Sequence, residues 1–233
     1  MISTLQQRQE FYNKFQIQNL KSFFHIQPQF YVIDPGIHTK IFKNPKYKRF
    51  IILKASFKNL KQKLIYYAPE DVYYDRNIYP KPEENYRKNN FKDFINTKEF
   101  QQELAFDIDP ENISCECNKN PDPYFNFCPV CLEKAKQKTL ELYSLLKREF
   151  NQIKIVYSGR GYHLHIFDKR AYSLTLQQRN LLNKKFKNFP IDPKVSNGKA
   201  RLIRLPYSLN PLVNKQCLPL TIKQVKTFKP RIN

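Results

Sequence analysis

Hydrophobic and polar positions alternate along this chain in patterns that predict its elements. From Gln102 to Asp109 the period is two. Leu104, Phe106 and Ile108 fall on one face, and Ala105, Asp107 and Asp109 on the other. A strand is expected there, ended by Pro110. Leu132, Ala135, Thr139, Leu142, Leu146 and Phe150 recur at helical spacing and predict an amphipathic helix. Ile153 to Tyr157 reads as a strand, Ser158-Gly159-Arg160-Gly161 as a turn, and Tyr162 to Phe167 as the returning strand. Helices are expected around Leu5 to Phe24 and over Leu176 to Phe186. Tyr47 to Phe57 is crowded with β-formers and reads as a strand, and Arg201 to Leu205 as a short one stopped by Pro206. Pro80 and Pro82 mark a loop. Alternating elements with antiparallel turns predict an α/β (α+β) fold built on a mixed or antiparallel sheet. Residues 1–233 read as a single domain, interrupted by a Cys-, Asn- and Pro-rich excursion at 112–131 that cannot bury a core of its own.

Charge narrows the partners. Lys and Arg number 41 against 20 Asp and Glu, a formal +21, which favours polyanions: nucleic acid or an anionic membrane surface. No apolar run approaches the ~18–20 residues that span a bilayer, and Met1 to Glu10 lacks the apolar region of a signal peptide. A soluble intracellular protein without a membrane partner is expected. Four of the five cysteines cluster as Cys115, Cys117, Cys128 and Cys131, which suits metal in a reducing compartment. Cys217 stands apart and reads as packed.

Four constellations carry candidate chemistry. Asp107 and Asp109 project on the same side of one strand, so both carboxylates can converge on a cation. Two like charges on a core-packed strand are unfavourable without compensation. In Ser158-Gly159-Arg160-Gly161-Tyr162-His163-Leu164-His165 the small residues let the backbone approach an anion, and Arg160 offers a fork for phosphate. His163 and His165 share one face of the returning strand. Ile191-Asp192-Pro193-Lys194-Val195 adds a possible third carboxylate, Asp192, and Arg204 a second phosphate ligand. Cys115-x-Cys117 and Cys128-Pro129-Val130-Cys131 are paired thiolates at short spacing that suit one tetrahedral, structural Zn²⁺.

These segments, in this order, resemble the small catalytic subunit of the archaeo-eukaryotic primases. Glu103-Leu104-Ala105-Phe106-Asp107-Ile108-Asp109 is similar to that family's first motif, whose two Asp bind catalytic metals. The cysteine cluster resembles its zinc knob. Val156-Tyr157-Ser158-Gly159-Arg160-Gly161-Tyr162-His163 resembles the second motif, where the Ser, Arg and His hold the incoming triphosphate. Ile191 to Gly198 resembles the third, which supplies the third metal-binding Asp. Leu202-Ile203-Arg204-Leu205-Pro206-Tyr207-Ser208 matches the following stretch, where a basic residue contacts phosphates. Lys48-Arg49-Phe50 resembles an Arg-containing strand near the nucleotide, which adds Arg49. The second motif is one residue shorter than the form with adjacent arginines, and Asn210 stands where a His often follows.

The resemblance implies a primase-polymerase catalytic domain with a small zinc knob. It would make short RNA or DNA primers on a single-stranded DNA template by two-metal nucleotidyl transfer. Asp107, Asp109 and Asp192 would hold two Mg²⁺ or Mn²⁺ ions, and Ser158, Arg160, His163, Arg204 and Arg49 would hold the NTP or dNTP. Partners implied are template, primer duplex and a primase large subunit or fused accessory domain. The setting is cytoplasmic for an archaeal, plasmid or viral source and nuclear for a eukaryote. Two other functions fit the same residues: a primase-polymerase that extends primers with dNTPs, and a non-catalytic zinc-containing nucleic-acid-binding module.

Overall fold

A computed structural model describes residues 3–36, 50–84, 101–114 and 128–230. Arg49, Cys115 and Cys117 lie outside the described residues. In chain order the elements are α1 (Leu5–Asn13), α2 (Ile17–Phe23), β1 (Phe30–Asp34), β2 (Ile51–Lys54), α3 (Phe57–Tyr67), β3 (Asp71–Asp75), β4 (Asn77–Ile78), β5 (Gln101–Gln102) and β6 (Leu104–Ile108). After a 3₁₀ turn at Pro110–Asn112 come α4 (Pro129–Leu146), β7 (Ile153–Tyr157), β8 (Tyr162–Ile166), α5 (Lys169–Tyr172), α6 (Leu176–Lys185), α7 (Pro193–Ser196), β9 (Leu202–Arg204), β10 (Leu209–Asn210), β11 (Lys215–Gln216), β12 (Leu218–Leu220) and α8 (Ile222–Thr227).

Eight strands form two four-stranded sheets, ordered β2-β1-β3-β9 and β12-β7-β8-β6, and β4–β5 and β10–β11 pair separately, with every described ladder antiparallel. The predicted alternation in β6 assigns its two faces to two cores. Leu104, Phe106 and Ile108 pack with Leu132, Leu142 and Leu146 of α4, while Ala105 joins Tyr31, Ile33, Val72 and Ile203 of the other sheet. One core therefore lies between the sheets and the other beneath α4. The α4 stripe is buried from Leu132 to Leu146, and Phe150 stays buried past the helix end.

Two expectations need correction. The helix expected around Leu5 to Phe24 is two, because Lys14 caps α1 and Gln16 opens α2. The strand expected to reach Phe57 ends at Lys54. Phe57 instead starts α3, where the Ser56 hydroxyl accepts the Asn59 N–H and Phe57, Leu60 and Leu64 bury one helical stripe. Strand β1 carries no alternation, since it is buried throughout its length, and β3 alternates over 71–74 before Asp75 is buried as well.

Candidate active site

Strands β6 and β8 pair so that Asp107 faces His163 and Ala105 faces His165. His163 Nε2 lies 3.5 Å from Asp107 Oδ1. His165 sits deeper, with Nδ1 2.8 Å from Glu103 Oε1 and 3.0 Å from the Tyr74 hydroxyl, so it belongs to the core. Asp107, Asp109, Ser158, Arg160, His163 and Arg204 line a cleft of roughly 160 Å³ between the two sheets, joined by Tyr73 and Asn210. The sequence segments far apart in the chain thus converge on one cavity.

Asp192 reaches the pair through the main chain. Ile191 bridges Ile108, and the Asp192 N–H donates to the Asp107 carbonyl at 2.9 Å. Its Oδ1 accepts the Lys194 N–H at 2.8 Å as the cap of α7. Among the described residues, no three His, Cys, Asp or Glu side chains stand close enough to hold one ion.

The electrostatics of the carboxylates favour added positive charge. Burial pushes the Asp107 carboxyl well above the usual carboxylate range. Asp109 and Asp192 push it further, and Arg204 and Arg76 only partly offset them. Burial also raises Asp109, against the pull of Arg160 and Arg204. Asp107 Oδ1 is buried without a hydrogen-bond partner, an arrangement that is costly unless a cation satisfies it. The carboxylate pair, with Asp192 beside it, therefore fits a divalent metal. Burial, then His165, depress the His163 imidazole well below its ordinary value, so it is neutral near pH 7. Its Nδ1 also lacks a partner.

The turn after β7 is tighter than its sequence suggests. Gly159 takes φ +96°, and the Ser158 hydroxyl accepts the Gly161 N–H at 2.9 Å. That N–H was an expected anion donor and is already engaged. Arg160 lines the cleft and pairs with Glu111, a partly exposed carboxylate. Arg204 pairs with Asp71 and lies 5.3 Å over the Tyr73 ring. Asn210 donates to the Ser158 carbonyl at 2.9 Å and accepts the Leu212 N–H, so its amide braces the turn. Sequence reading missed Asp71, Tyr73 and Glu111. Asp71 and Tyr73 belong to the unread strand β3, and Glu111 had no pattern to mark it.

Of the cysteine cluster, Cys128 caps α4 and Cys131 is buried one turn along. The Cys131 N–H lowers the Cys128 thiol, while burial raises Cys131. The pair supplies two convergent thiols of the expected four. Cys217 is fully buried, and its thiol donates to the Ser158 carbonyl at 3.2 Å.

Known proteins resemble this chain. The DNA primase small subunit family matches residues 106–190. An uncharacterized DNA primase small subunit-like protein of Archaeoglobus fulgidus is 37% identical over 247 aligned positions, covering 98% of this chain and 88% of that protein. The DNA primase small subunit PriS of Thermococcus kodakarensis is 39% identical over 79 residues, which are 33% of this chain and 23% of that protein. That of Pyrococcus horikoshii is 35% identical over 115 residues, or 48% of this chain and 29% of that protein. This chain belongs to the DNA primase small subunit family.

Proposed function

We propose that this chain is a DNA primase catalytic subunit that joins nucleotides on a single-stranded DNA template, with Asp107, Asp109 and Asp192 as its metal ligands. The observation that carries this reading is the buried, unpartnered Asp107 Oδ1 beside Asp109 in a cleft walled by two arginines. Bound Mg²⁺ or Mn²⁺ would supply there the charge that activates an attacking 3′-hydroxyl and stabilises departing pyrophosphate.

The protein's own groups do the rest. Asp107 is held by the β6–β8 ladder, and Asp192 is brought to it through the Asp107 carbonyl. A turn of the Asp192 side chain away from the Lys194 N–H completes the ligand set. Arg160 leaves Glu111 for the triphosphate, and Arg204, braced by Asp71, offers its remaining donors to the same phosphates. Neutral His163 donates one hydrogen bond from whichever ring nitrogen carries the proton. Ser158 holds the turn that aims Arg160. The basic surface follows the template–primer backbone largely without reading sequence.

Primer synthesis on an unprimed single strand, with each nucleotide type and each metal, tests the reading. Products starting without a primer support a primase, and products only from a primed end favour the extension enzyme. No incorporation under any condition would leave a nucleic-acid-binding module. Arg160→Ala and Arg204→Ala each remove a charge-assisted contact of about 1.5–3 kcal/mol, so kcat/KM should fall roughly 10–100-fold. Arg204→Ala should also lower the melting temperature, because it strands Asp71 half-buried, whereas the exposed partner of Arg160 makes that variant nearly neutral in stability. Wild-type kinetics in both would remove the phosphate grip from these residues.

We further assign Cys115, Cys117, Cys128 and Cys131 to one structural Zn²⁺. Elemental analysis should find about one equivalent per chain. Cys131→Ser should reduce that content and the stability while leaving the carboxylate site intact. Zinc well below one equivalent counts against the assignment.

A further inference from the structure

Arg76, just past β3, is 2% exposed, and its guanidinium forms no ion pair among the described residues. Nη1 donates to the Glu103 carbonyl at 2.8 Å. Nη2 donates to the Val195 carbonyl at 2.8 Å and the Ala200 carbonyl at 2.5 Å. The main chain runs the same way: the Arg76 N–H donates to Arg201 O at 3.1 Å, and the Glu103 N–H to Arg76 O at 3.0 Å. Glu103 immediately precedes β6, which carries Asp107 and leads into Asp109. Val195 and Ala200 bracket the turn after α7, whose cap is Asp192. One planar fork therefore spans the two segments that bear the three carboxylates. Gln102 adds a second tie, donating to the Gly198 carbonyl at 3.1 Å in the same turn. Gly198 has φ +89°, and Gln102 fills the space a Cβ would need.

Burying a cation to bridge neutral carbonyls is costly where a neutral donor would serve. Glu103 first, then Tyr74, Asp75 and Asp107, offset part of that cost, and Arg76 in turn draws the Asp107 carboxyl downward. We propose that Arg76, assisted by Gln102, is a positioning residue that fixes Asp192 relative to Asp107 and Asp109 and so sets the divalent-cation affinity of the site. The inference rests on the metal reading above. Lysine cannot replace the fork, because its three donors leave from one atom and cannot span carbonyls on two segments.

Mn²⁺ binding to the full chain without nucleotide, followed by paramagnetic resonance of free Mn²⁺, tests this, with a melting curve for each variant. Arg76→Lys should weaken Mn²⁺ binding by roughly 10-fold or more, the loss typical of residues that orient metal ligands. Raised Mn²⁺ should restore its nucleotide incorporation. In an Asp192→Asn background the same substitution should add little, because Arg76 acts through Asp192. Unchanged Mn²⁺ affinity in folded Arg76→Lys, or a full further loss in the Asp192→Asn background, would overturn the proposal. If Arg76→Lys does not fold, Gln102→Leu carries the test. A smaller weakening in the same direction supports the proposal and an unchanged affinity overturns it. Asp107→Asn binding Mn²⁺ as tightly as wild type would sink the metal reading itself, and that outcome is distinct from a failure of the Arg76 variants alone.

Discussion

Asp107→Asn should bring nucleotide incorporation down by at least about 100–1,000-fold, the scale of losing one preorganised electrostatic contact to the transition state. The same change should raise the melting temperature of the metal-free protein at neutral pH. Both effects have one cause. The Asp107 carboxyl is held well above its ordinary value by burial and by Asp109 and Asp192, so its charged form strains the metal-free fold. A folded-state value above the unfolded value, near 3.9, means that the folded protein binds more protons. Stability is then unpenalised below about pH 4 and declines as pH rises through the raised value. Asparagine keeps the shape and removes the charge, so its advantage should be largest near pH 7 and vanish near pH 4. Each kcal/mol recovered is worth about 2–4 °C in a chain of this size. Melting curves with chelator across pH measure this. Adding Mn²⁺ should then stabilise the wild type and leave the variant nearly unmoved. Near-normal incorporation by Asp107→Asn would end the metal-site assignment. A variant that melts below the wild type in chelator would show that the carboxylates are not strained.

What was legible in the sequence follows from how many constraints each residue satisfies by local pattern alone. Strand β6 could be read because its period of two puts Leu104, Phe106 and Ile108 in one core and the carboxylates opposite. Helix α4 could be read for the same reason at helical period. Strand β1 could not, since Phe30 to Asp34 is buried on both faces and no alternation survives. The start of α3 was hidden because Ile51, Leu53, Ala55 and Phe57 continue a strand's period of two, and only the Ser56 cap marks the change. At the site, Asp107, Asp109, Ser158, Arg160, His163 and Arg204 were visible by residue type, and the cleft gathers all six. Their partners were not visible. Asp71, Glu111 and Arg76 meet the site over sequence separations of 133, 49 and 119, or through main-chain atoms, contacts that only the folded topology creates. His165 shares a strand face with His163, but Glu103 and Tyr74 hold it within the core.

Gly161→Ala is the second large expected effect, and it separates two roles for that glycine. From sequence, Gly161 belongs to a turn that lets backbone N–H groups approach an anion. In the fold its N–H is held by Ser158, and its missing side chain is what the site requires. A methyl group there would stand 2.5 Å from the Ile108 carbonyl and 3.2 Å from Asp109 Cα, and closer still to Asp109 Oδ1. A flexible side chain could move aside, but the Ile108 carbonyl cannot do so cheaply. Ile108 is paired with Tyr162 in the β6–β8 ladder and bridged to Ile191 on its other side. The methyl therefore wedges β6 from β8 at the end that carries Asp109, and displaces a proposed metal ligand without changing any charge. A misplacement of about 1 Å at a reacting centre costs on the order of 100-fold, so kcat should fall by roughly that factor. Overpacking of this kind also lowers stability by about 1–3 kcal/mol. Arg160 and Arg204 remain, so nucleotide binding measured by KM should change far less than kcat. Ser158→Ala is the comparison, because it frees the Gly161 N–H without adding volume. If the turn acted chiefly as an anion cradle, both variants, which keep the Gly161 N–H, would retain most of kcat. If the glycine is there to let Asp109 sit against the turn, Gly161→Ala alone should collapse kcat, and its Mn²⁺ affinity should fall with it. A Gly161→Ala enzyme with wild-type kcat would show that β6 and β8 can part without moving the carboxylates.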